Sequence, residues 1–168
     1  MIPHLVRFLA VPLLPVVAAA TPASPAGEYR AHFGALSQLS IAVAQAMPAE
    51  LYSFKPHPES MNFGELMSHI AMTNYQFCAG LKDSAPPATP AHNNRDTIIQ
   101  FLSASFNYCG GVIPSLNDAD LTKPHDSPDG RLPGREILLA LYIHVAHHRG
   151  QAEIYLRDKG IKPPPYRI

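Results

Sequence analysis

The 168-residue sequence has no cluster of Lys or Arg, no hydrophobic run long enough for a transmembrane helix, and no alternating pattern typical of β-strands. Its 13 basic residues are matched by 13 acidic ones, and without a basic patch the chain is not expected to bind nucleic acid. The apolar run from Phe8 to Ala20 is shorter than the roughly 20 residues of a membrane-spanning helix. The composition, 46% hydrophobic and 15% charged, is typical of a globular protein.

The N-terminal segment has the pattern of an export signal. Arg7 precedes the apolar run, and the three alanines that end at Ala20 are small residues of the kind that a signal peptidase accepts. We therefore predict a cleaved signal peptide over residues 1–20 and a flexible leader over residues 21–27. The mature protein is expected in the periplasm or outside the cell, without a membrane span. An uncleaved anchor and a wrongly assigned start codon are the alternatives.

Four segments have the length and the hydrophobic period of helices. They are predicted at about 27–47, 62–81, 95–116 and 135–159, and the links between them are rich in Pro, Asp and Asn. The link before the fourth helix has no periodicity and carries an Asp129–Gly130 turn signal. The predicted fold is an all-α four-helix bundle.

The two cysteines bear on both the course of the chain and its compartment. Cys78 and Cys109 lie at similar depths in the second and third helices, so they reach the same height if these helices run parallel. If the helices were antiparallel, the cysteines would be roughly 15 Å or more apart, which is too far for a disulfide. A Cys78–Cys109 disulfide is one prediction for an exported protein, and two reduced core thiols are the alternative.

Three of the nine histidines fall within the stretch LYIHVAHHRGQAEIYLRDKG, residues 141–160. His144 and His148 are four residues apart on the fourth helix, a spacing that lets two imidazoles bind one ion. His147 points about 80–100° away from their face and is left out of the ligand set. His69, in the middle of the second helix, is the best candidate for a third ligand. The alternative is that these residues are buried core histidines.

The remaining histidines and the motif itself limit the chemistry. Val145 stands where a zinc protease with an H-E-x-x-H motif has its glutamate base, which argues against protease activity. His32, on the first helix, could face the bundle centre. Solvated side chains are expected for the histidines of the leader and the loops, which are His4, His57, His92 and His125.

Two blocks of the sequence resemble the signatures of the DinB/YfiT-like superfamily of metal-dependent enzymes. IHVAHHRGQAEIYLRDKGIKPP is similar to the family's terminal helix, with its H-x-x-x-H-R-G-Q pattern, and YSFKPHPESMNFGELMSHIAMTNYQFC resembles the block that leads into a helix with one histidine. The resemblance extends from Glu28 onward and implies one domain over residues 28–168. It also implies an up-down-down-up course of the four helices, with long crossover loops.

The resemblance implies a divalent metal ion held by His69, His144 and His148. Zinc is the first expectation, with nickel, manganese or iron as alternatives. Gln151 is expected to orient a ligand or a water molecule through its amide, and Arg149 to support the structure around the site. Gly150, also part of the motif, is expected to permit close helix packing.

Relatives in this superfamily include transferases and an isomerase that use a low-molecular-weight thiol. Because an oxidising compartment is a poor place for a reduced thiol, we expect instead metal-assisted group transfer or hydrolysis of an unknown small molecule. Tyr155 and His32 are the candidates that the sequence offers for a general base. The alternatives are a non-catalytic bundle that binds a metal or a partner, and a purely structural bundle. A homodimer is a further expectation.

Overall fold

The computed structural model describes residues 25–89 and 94–166, and four long helices form its framework. These helices are α1 (Pro25–Ala46), α2 (Phe63–Gly80), α3 (Arg95–Val112) and α5 (Gly134–Asp158). Between α3 and α5 lie a short helix, α4 (Asp118–Thr122), and a hairpin of strands β1 (Pro124–Ser127) and β2 (Gly130–Pro133). The predicted all-α four-helix bundle is confirmed. The predicted signal peptide, leader residues 21–24, His4 and His92 lie outside the described residues, while leader residues 25–27 form the first turn of α1.

The helices begin and end within a few residues of the predicted positions because local signals set their limits. At the start of α2 the Asn62 side chain accepts a hydrogen bond from the Glu65 amide at 2.8 Å, and the Glu65 carboxylate accepts one from the Asn62 amide at 2.7 Å. The end of α3 differs most from the prediction, since α3 stops at Val112 and a single 3-10 turn follows. Pro114 lies in that turn and has no amide hydrogen with which to continue the helix. None of the described helices is both long and apolar enough to cross a membrane.

Helices α2 and α3 run parallel. Cys78 and Cys109 form a disulfide with their Cα atoms 5.5 Å apart, and one turn earlier Asn74 Nδ2 donates to Ser105 Oγ at 3.1 Å. Both pairs are 31 residues apart in the sequence. When two helices run parallel, the partners of successive contacts stay the same number of residues apart in the sequence, whereas in antiparallel helices this number changes from one contact to the next. The parallel arrangement predicted from the cysteines is therefore confirmed.

The other two long helices run against this pair. The rings of Phe33 in α1 and Phe106 in α3 are 5.5 Å apart at one end of the bundle, and near the other end Arg95 donates to the Met47 carbonyl at 3.1 Å. Helix α5 crosses α2 in the same antiparallel sense, which completes the up-down-down-up course. The core between the helices contains large side chains with almost no exposed surface, among them Phe63, Phe77, Leu102, Ile137, Leu138 and Leu141.

The link before α5 contains more structure than its sequence indicated. The predicted turn is present between β1 and β2, where Ser127 pairs with Gly130, and Gly130 has a φ of 103° that favours glycine. The hairpin packs so closely on the end of α2 that a Cβ atom at Gly80 would lie 2.1 Å from the Asp126 carbonyl oxygen. The hairpin is therefore held in place by tertiary contacts.

His125 in β1 is fully buried, so the expectation of a solvated side chain was wrong. Its Nδ1 lies 2.9 Å from Asp83 Oδ1, and its Nε2 lies 2.8 Å from the Asp120 carbonyl oxygen. Hydrogen bonds from Lys123 and His125 lower the pKa of the Asp83 carboxyl group. His125 thus ties the hairpin to the turn after α2 and to α4, a structural role that is separate from the predicted metal site.

Candidate metal centre

The three histidines grouped from the sequence meet between α2 and α5. His144 Nε2 lies 3.0 Å from His69 Nε2, and the three ring centroids are 4.5 to 4.9 Å from one another. One nitrogen of each ring, of His69, His144 and His148, lies within 4.8 Å of the other two. The structure therefore brings together the predicted ligand set and forms a candidate divalent-metal site.

The antiparallel packing of α2 and α5 places these side chains. His144 and His148 lie one turn apart beside the buried Leu141 and Val145, which fix that side of α5 against the core. His69 comes from the facing helix and is followed directly by the buried Ile70. The two ligands of α5 and the single ligand of α2 are therefore held on separate, well-packed elements.

Burial keeps the three imidazoles neutral. It lowers the pKa of His144 to about 4, with further contributions from His148 and His69, and it also lowers the pKa of His69. For His148, burial lowers the pKa while the hydrogen bond to Gln151 acts in the opposite direction. At neutral pH the rings therefore carry free lone pairs, which metal ligands require.

The contacts of Gln151 select the nitrogen that His148 can offer. Gln151 Oε1 lies 2.8 Å from His148 Nδ1, and because an amide oxygen only accepts, Nδ1 carries the proton and Nε2 keeps its lone pair. Gln151 Nε2 lies 3.1 Å from His147 Nε2, and the His147 side chain is exposed. His147 is thus linked to the site through Gln151 but is not one of the clustered histidines.

The donor set fits a metal ion. Two nitrogens bound to one zinc ion at about 2.0–2.1 Å can be no more than about 4.2 Å apart, and the 3.0 Å between the Nε2 atoms of His69 and His144 meets this limit. Three neutral nitrogen donors suit zinc and neighbouring divalent ions of the first transition row. Without an ion, the two Nε2 atoms 3.0 Å apart are joined by a hydrogen bond in which one of them carries the proton, and a bound ion would take the place of that proton.

The other predicted site residues lie further from this centre. Arg149 forms a hydrogen-bonded ion pair with Glu153, and its guanidinium lies 5.3 Å from the centroid of the Tyr166 ring. These contacts fit the supporting role expected for Arg149. The Tyr155 hydroxyl donates to the Met61 carbonyl at 3.0 Å, so its proton is already engaged in a main-chain contact.

His32 does not face the bundle centre, and this expectation was wrong. Its side chain is exposed on α1, whereas the next residue, Phe33, is only 3% exposed and occupies the inward face. A step of one residue turns a helix by about 100°, which carries His32 off the buried stripe. His32 is thus separate from the three clustered histidines.

A cleft of about 700 Å³ opens beside His69, and no sequence pattern predicted it. Its lining combines apolar side chains with a few polar ones and includes Tyr52, Met61, Glu65, Ser68, Met72 and Ile98. Glu65 precedes His69 by four residues and Ser68 follows Glu65 by three, so the helical spacing along α2 could have pointed to them. Of the three clustered histidines, His69 lines this cleft, whose volume is that of a small-molecule site.

A comparison with protein families places the chain. The family model described as the DinB superfamily matches residues 32–152, which is most of the sequence. The chain belongs to the DinB superfamily. The matched region includes His69, His144, His148 and Gln151, and it ends before Tyr155.

Individual DinB-superfamily relatives agree with this assignment. The uncharacterized protein YjoA of Bacillus subtilis (strain 168) is 26% identical over 140 residues, which are 80% of this chain and 91% of YjoA. The crystal structure of the DinB-like protein YjoA has a TM-score of 0.71 at 20% identity, over 83% of this chain and 96% of that chain. The crystal structure of a DinB-like protein from Bacillus cereus ATCC 10987 has a TM-score of 0.74 at 19% identity, and the match covers 88% of this chain and 100% of that chain. At these identities the two structures show the fold alone.

Proposed function

We propose that this DinB-superfamily chain is an exported metalloenzyme that holds one divalent ion through His69, His144 and His148. Its reaction is nucleophilic group transfer or hydrolysis on a small molecule. The observation that carries this proposal is the meeting of three neutral imidazoles, two of them with Nε2 atoms 3.0 Å apart, at the edge of a cleft of about 700 Å³. Zinc is the expected ion, and nickel, manganese and iron are the alternatives.

In the proposed site the three histidines are the metal ligands, and Gln151 fixes the tautomer of one of them. A divalent ion held by the three histidines would act as a Lewis acid and lower the pKa of the attacking nucleophile. The chain supplies three neutral ligands, so it leaves the positive charge of the ion uncompensated and favours an anionic nucleophile or substrate group. Gln151 keeps His148 in the tautomer with Nε2 unprotonated, because its amide oxygen accepts from Nδ1.

The cleft beside His69 receives the substrate in this proposal. The side chains of Tyr52, Met61 and Ile98 give it an apolar wall that fits the body of a small organic molecule. Glu65 is the acidic side chain of the lining, but its carboxylate already accepts a hydrogen bond from the Asn62 amide and lies 3.8 Å from Lys55 Nζ. We therefore assign no general base to the chain.

Metal content and affinity test the metal site directly. The purified protein should bind about one equivalent of zinc, measured by elemental analysis and titration calorimetry, and His144→Ala should lose most of this binding. His57→Ala is the matched control, because His57 is an exposed histidine of a loop and should leave binding unchanged. Equally low metal content in the wild type and in His144→Ala would contradict the metal site.

A non-catalytic metal-binding bundle is the second candidate, favoured by the absence of a free general base among the described residues of the cleft. To separate the two, the zinc-loaded protein is screened against thiol-transfer and hydrolase substrates. Turnover that disappears in His148→Ala supports the enzyme. Turnover that survives this change would contradict metal-dependent catalysis, and a protein that binds zinc without turnover of any substrate would favour the binding role.

Export is proposed from the N-terminal pattern and is supported by the Cys78–Cys109 disulfide, since disulfides persist in oxidising compartments. Sequencing the N-terminus of the protein from its native host tests this proposal. We expect a chain that begins near Thr21 in the periplasmic or external fraction. An intact Met1 in a soluble cytosolic fraction would overturn it.

A further inference from the structure

The outward face of α5 carries an apolar stripe that no other described element covers. Leu139, Ile143 and Ile154 are 54%, 60% and 52% exposed, and they are three of the five exposed large hydrophobic side chains in the described ranges. Because they are spaced by four and eleven residues, they lie on one side of the helix, opposite the side that faces the core. We define the outer stripe of α5 as Leu139, Ile143, Ala146, His147, Gly150 and Ile154.

The outer stripe is symmetric about the point between Ala146 and His147. Leu139 and Ile154 lie equally far from this point in the two directions along α5, and so do Ile143 and Gly150. If a second copy of α5 packs antiparallel on this stripe around a two-fold axis, each of these residues meets its counterpart of the other copy. The outer stripe is therefore complementary to itself in one register.

The charged residues at the two ends of α5 obey the same symmetry. Glu136 and Arg157 lie equally far from the centre, within about 30° of the middle of the face, and both are exposed. In the antiparallel register Glu136 meets Arg157 of the other copy, an arginine whose Nη1 lies 3.6 Å from Glu153 Oε2 of its own chain. This pair joins opposite charges at both ends of the contact, whereas a parallel pairing would place each of these charges against its like. Charge complementarity thus selects a second copy of this chain, in this one orientation, as the occupant.

Gly150 gives an independent reason for a close approach. A Cβ atom at Gly150 would meet nothing within 4 Å in the fold, so its small size does not serve packing within the chain. In the antiparallel register the side chain of Ile143 from the other copy lies over Gly150. A glycine at this point lets the two helices approach closely enough to bury both isoleucines.

We propose that the chain forms a two-fold homodimer through the outer stripe of α5, with the two α5 helices antiparallel and the axis between Ala146 and His147. The apolar part is flanked at each end by a Glu136–Arg157 pair. From Glu136 to Arg157 the contact is about 32 Å long at 1.5 Å per residue, comparable with the length of the bundle.

Charge reversal tests the register. Sedimentation or light scattering should find a dimer for the purified protein at micromolar concentration. Glu136→Arg places two arginines together at each end and should raise the dissociation constant about tenfold or more, and Arg157→Glu should do the same. The double variant Glu136→Arg/Arg157→Glu should restore the dimer. Glu59→Arg, a change at an exposed loop residue, is the control and should leave the dimer unchanged. Failure of the double variant to restore association would overturn the register.

A cysteine at the axis provides a second, independent measurement. Both native cysteines are consumed in the disulfide, so Ala146→Cys adds a single free thiol that lies next to its counterpart across the axis. This variant should form a covalent dimer under mild oxidation, whereas Gln100→Cys, on the exposed side of α3, should not. Equal cross-linking of the two variants would contradict the interface. A monomeric wild type would overturn the proposal and leave the outer stripe to the N-terminal residues or to another protein.

Discussion

The disulfide allows a stability prediction whose size follows from the structure. Cys78 and Cys109 are 31 residues apart in the sequence, and closing a loop of that length removes unfolded-state entropy worth about 4 kcal/mol at 25 °C. Both residues are fully buried between α2 and α3, with no exposed surface. Reduction should therefore lower the free energy of unfolding by about 3–4 kcal/mol, and the melting temperature by on the order of 10 °C.

Denaturant unfolding of the wild-type protein, followed by circular dichroism with and without a reductant, measures this loss. Reduction is a cleaner perturbation than substitution, because replacing two fully buried side chains also creates cavities. The double variant Cys78→Ala/Cys109→Ala is the control, and its stability should not respond to the reductant. If the reduced and the oxidised wild type differed by less than about 0.5 kcal/mol, the entropic argument would be refuted.

Three further predictions concern the metal site and the packing of the hairpin. The pKa of His144 falls from 6.5 to about 4 on folding, so the neutral ring contributes stability above pH 6.5 that is lost as the pH falls toward 4. Chelator-treated protein should lose on the order of 1–2 kcal/mol between pH 7 and pH 4.5, and His144→Ala should show a smaller loss. Gln151→Ala should weaken zinc binding by about 10- to 100-fold in a calorimetric titration, while Gln151→Glu, which keeps an acceptor for His148 Nδ1, should weaken it less. Gly80→Ala should destabilise the fold by more than about 2 kcal/mol, because its Cβ would lie 2.1 Å from the Asp126 carbonyl oxygen, whereas Gly110→Ala, where nothing lies within 4 Å, should not.

The bundle could be predicted from the sequence because its helices are specified locally. The period of the hydrophobic residues determines which face of each helix is buried. Residues such as Asn62 and Pro114 determine where a helix begins or ends, so each boundary depends on a few neighbouring positions. The segment from α4 through the hairpin depends instead on distant partners. His125 Nδ1 donates a hydrogen bond to the carboxylate of Asp83, 42 residues earlier in the chain, and no local pattern contains that information.

The candidate site shows the same division between local and distant information. The four-residue spacing of His144 and His148 was sufficient to group them, because both lie on one helix face. His69 is 75 residues from His144, and only the antiparallel packing of α2 and α5 brings their Nε2 atoms to 3.0 Å. The cleft beside His69 is formed by side chains from several segments, and a pattern within one helix does not reveal such an opening.

Helix α5 shows why burial, rather than residue type, separates the roles of neighbouring histidines. His148 and His147 are adjacent, yet a rotation of about 100° places the first beside the core and the second on the exposed face. Gln151 contacts both rings, with its amide oxygen toward His148 and its amide nitrogen toward His147. If a second copy of the chain covers the outer stripe of α5, the His147 ring, which is hydrogen-bonded to Gln151, is held at the interface. Dimer formation and the orientation of a metal ligand would then depend on the same amide group.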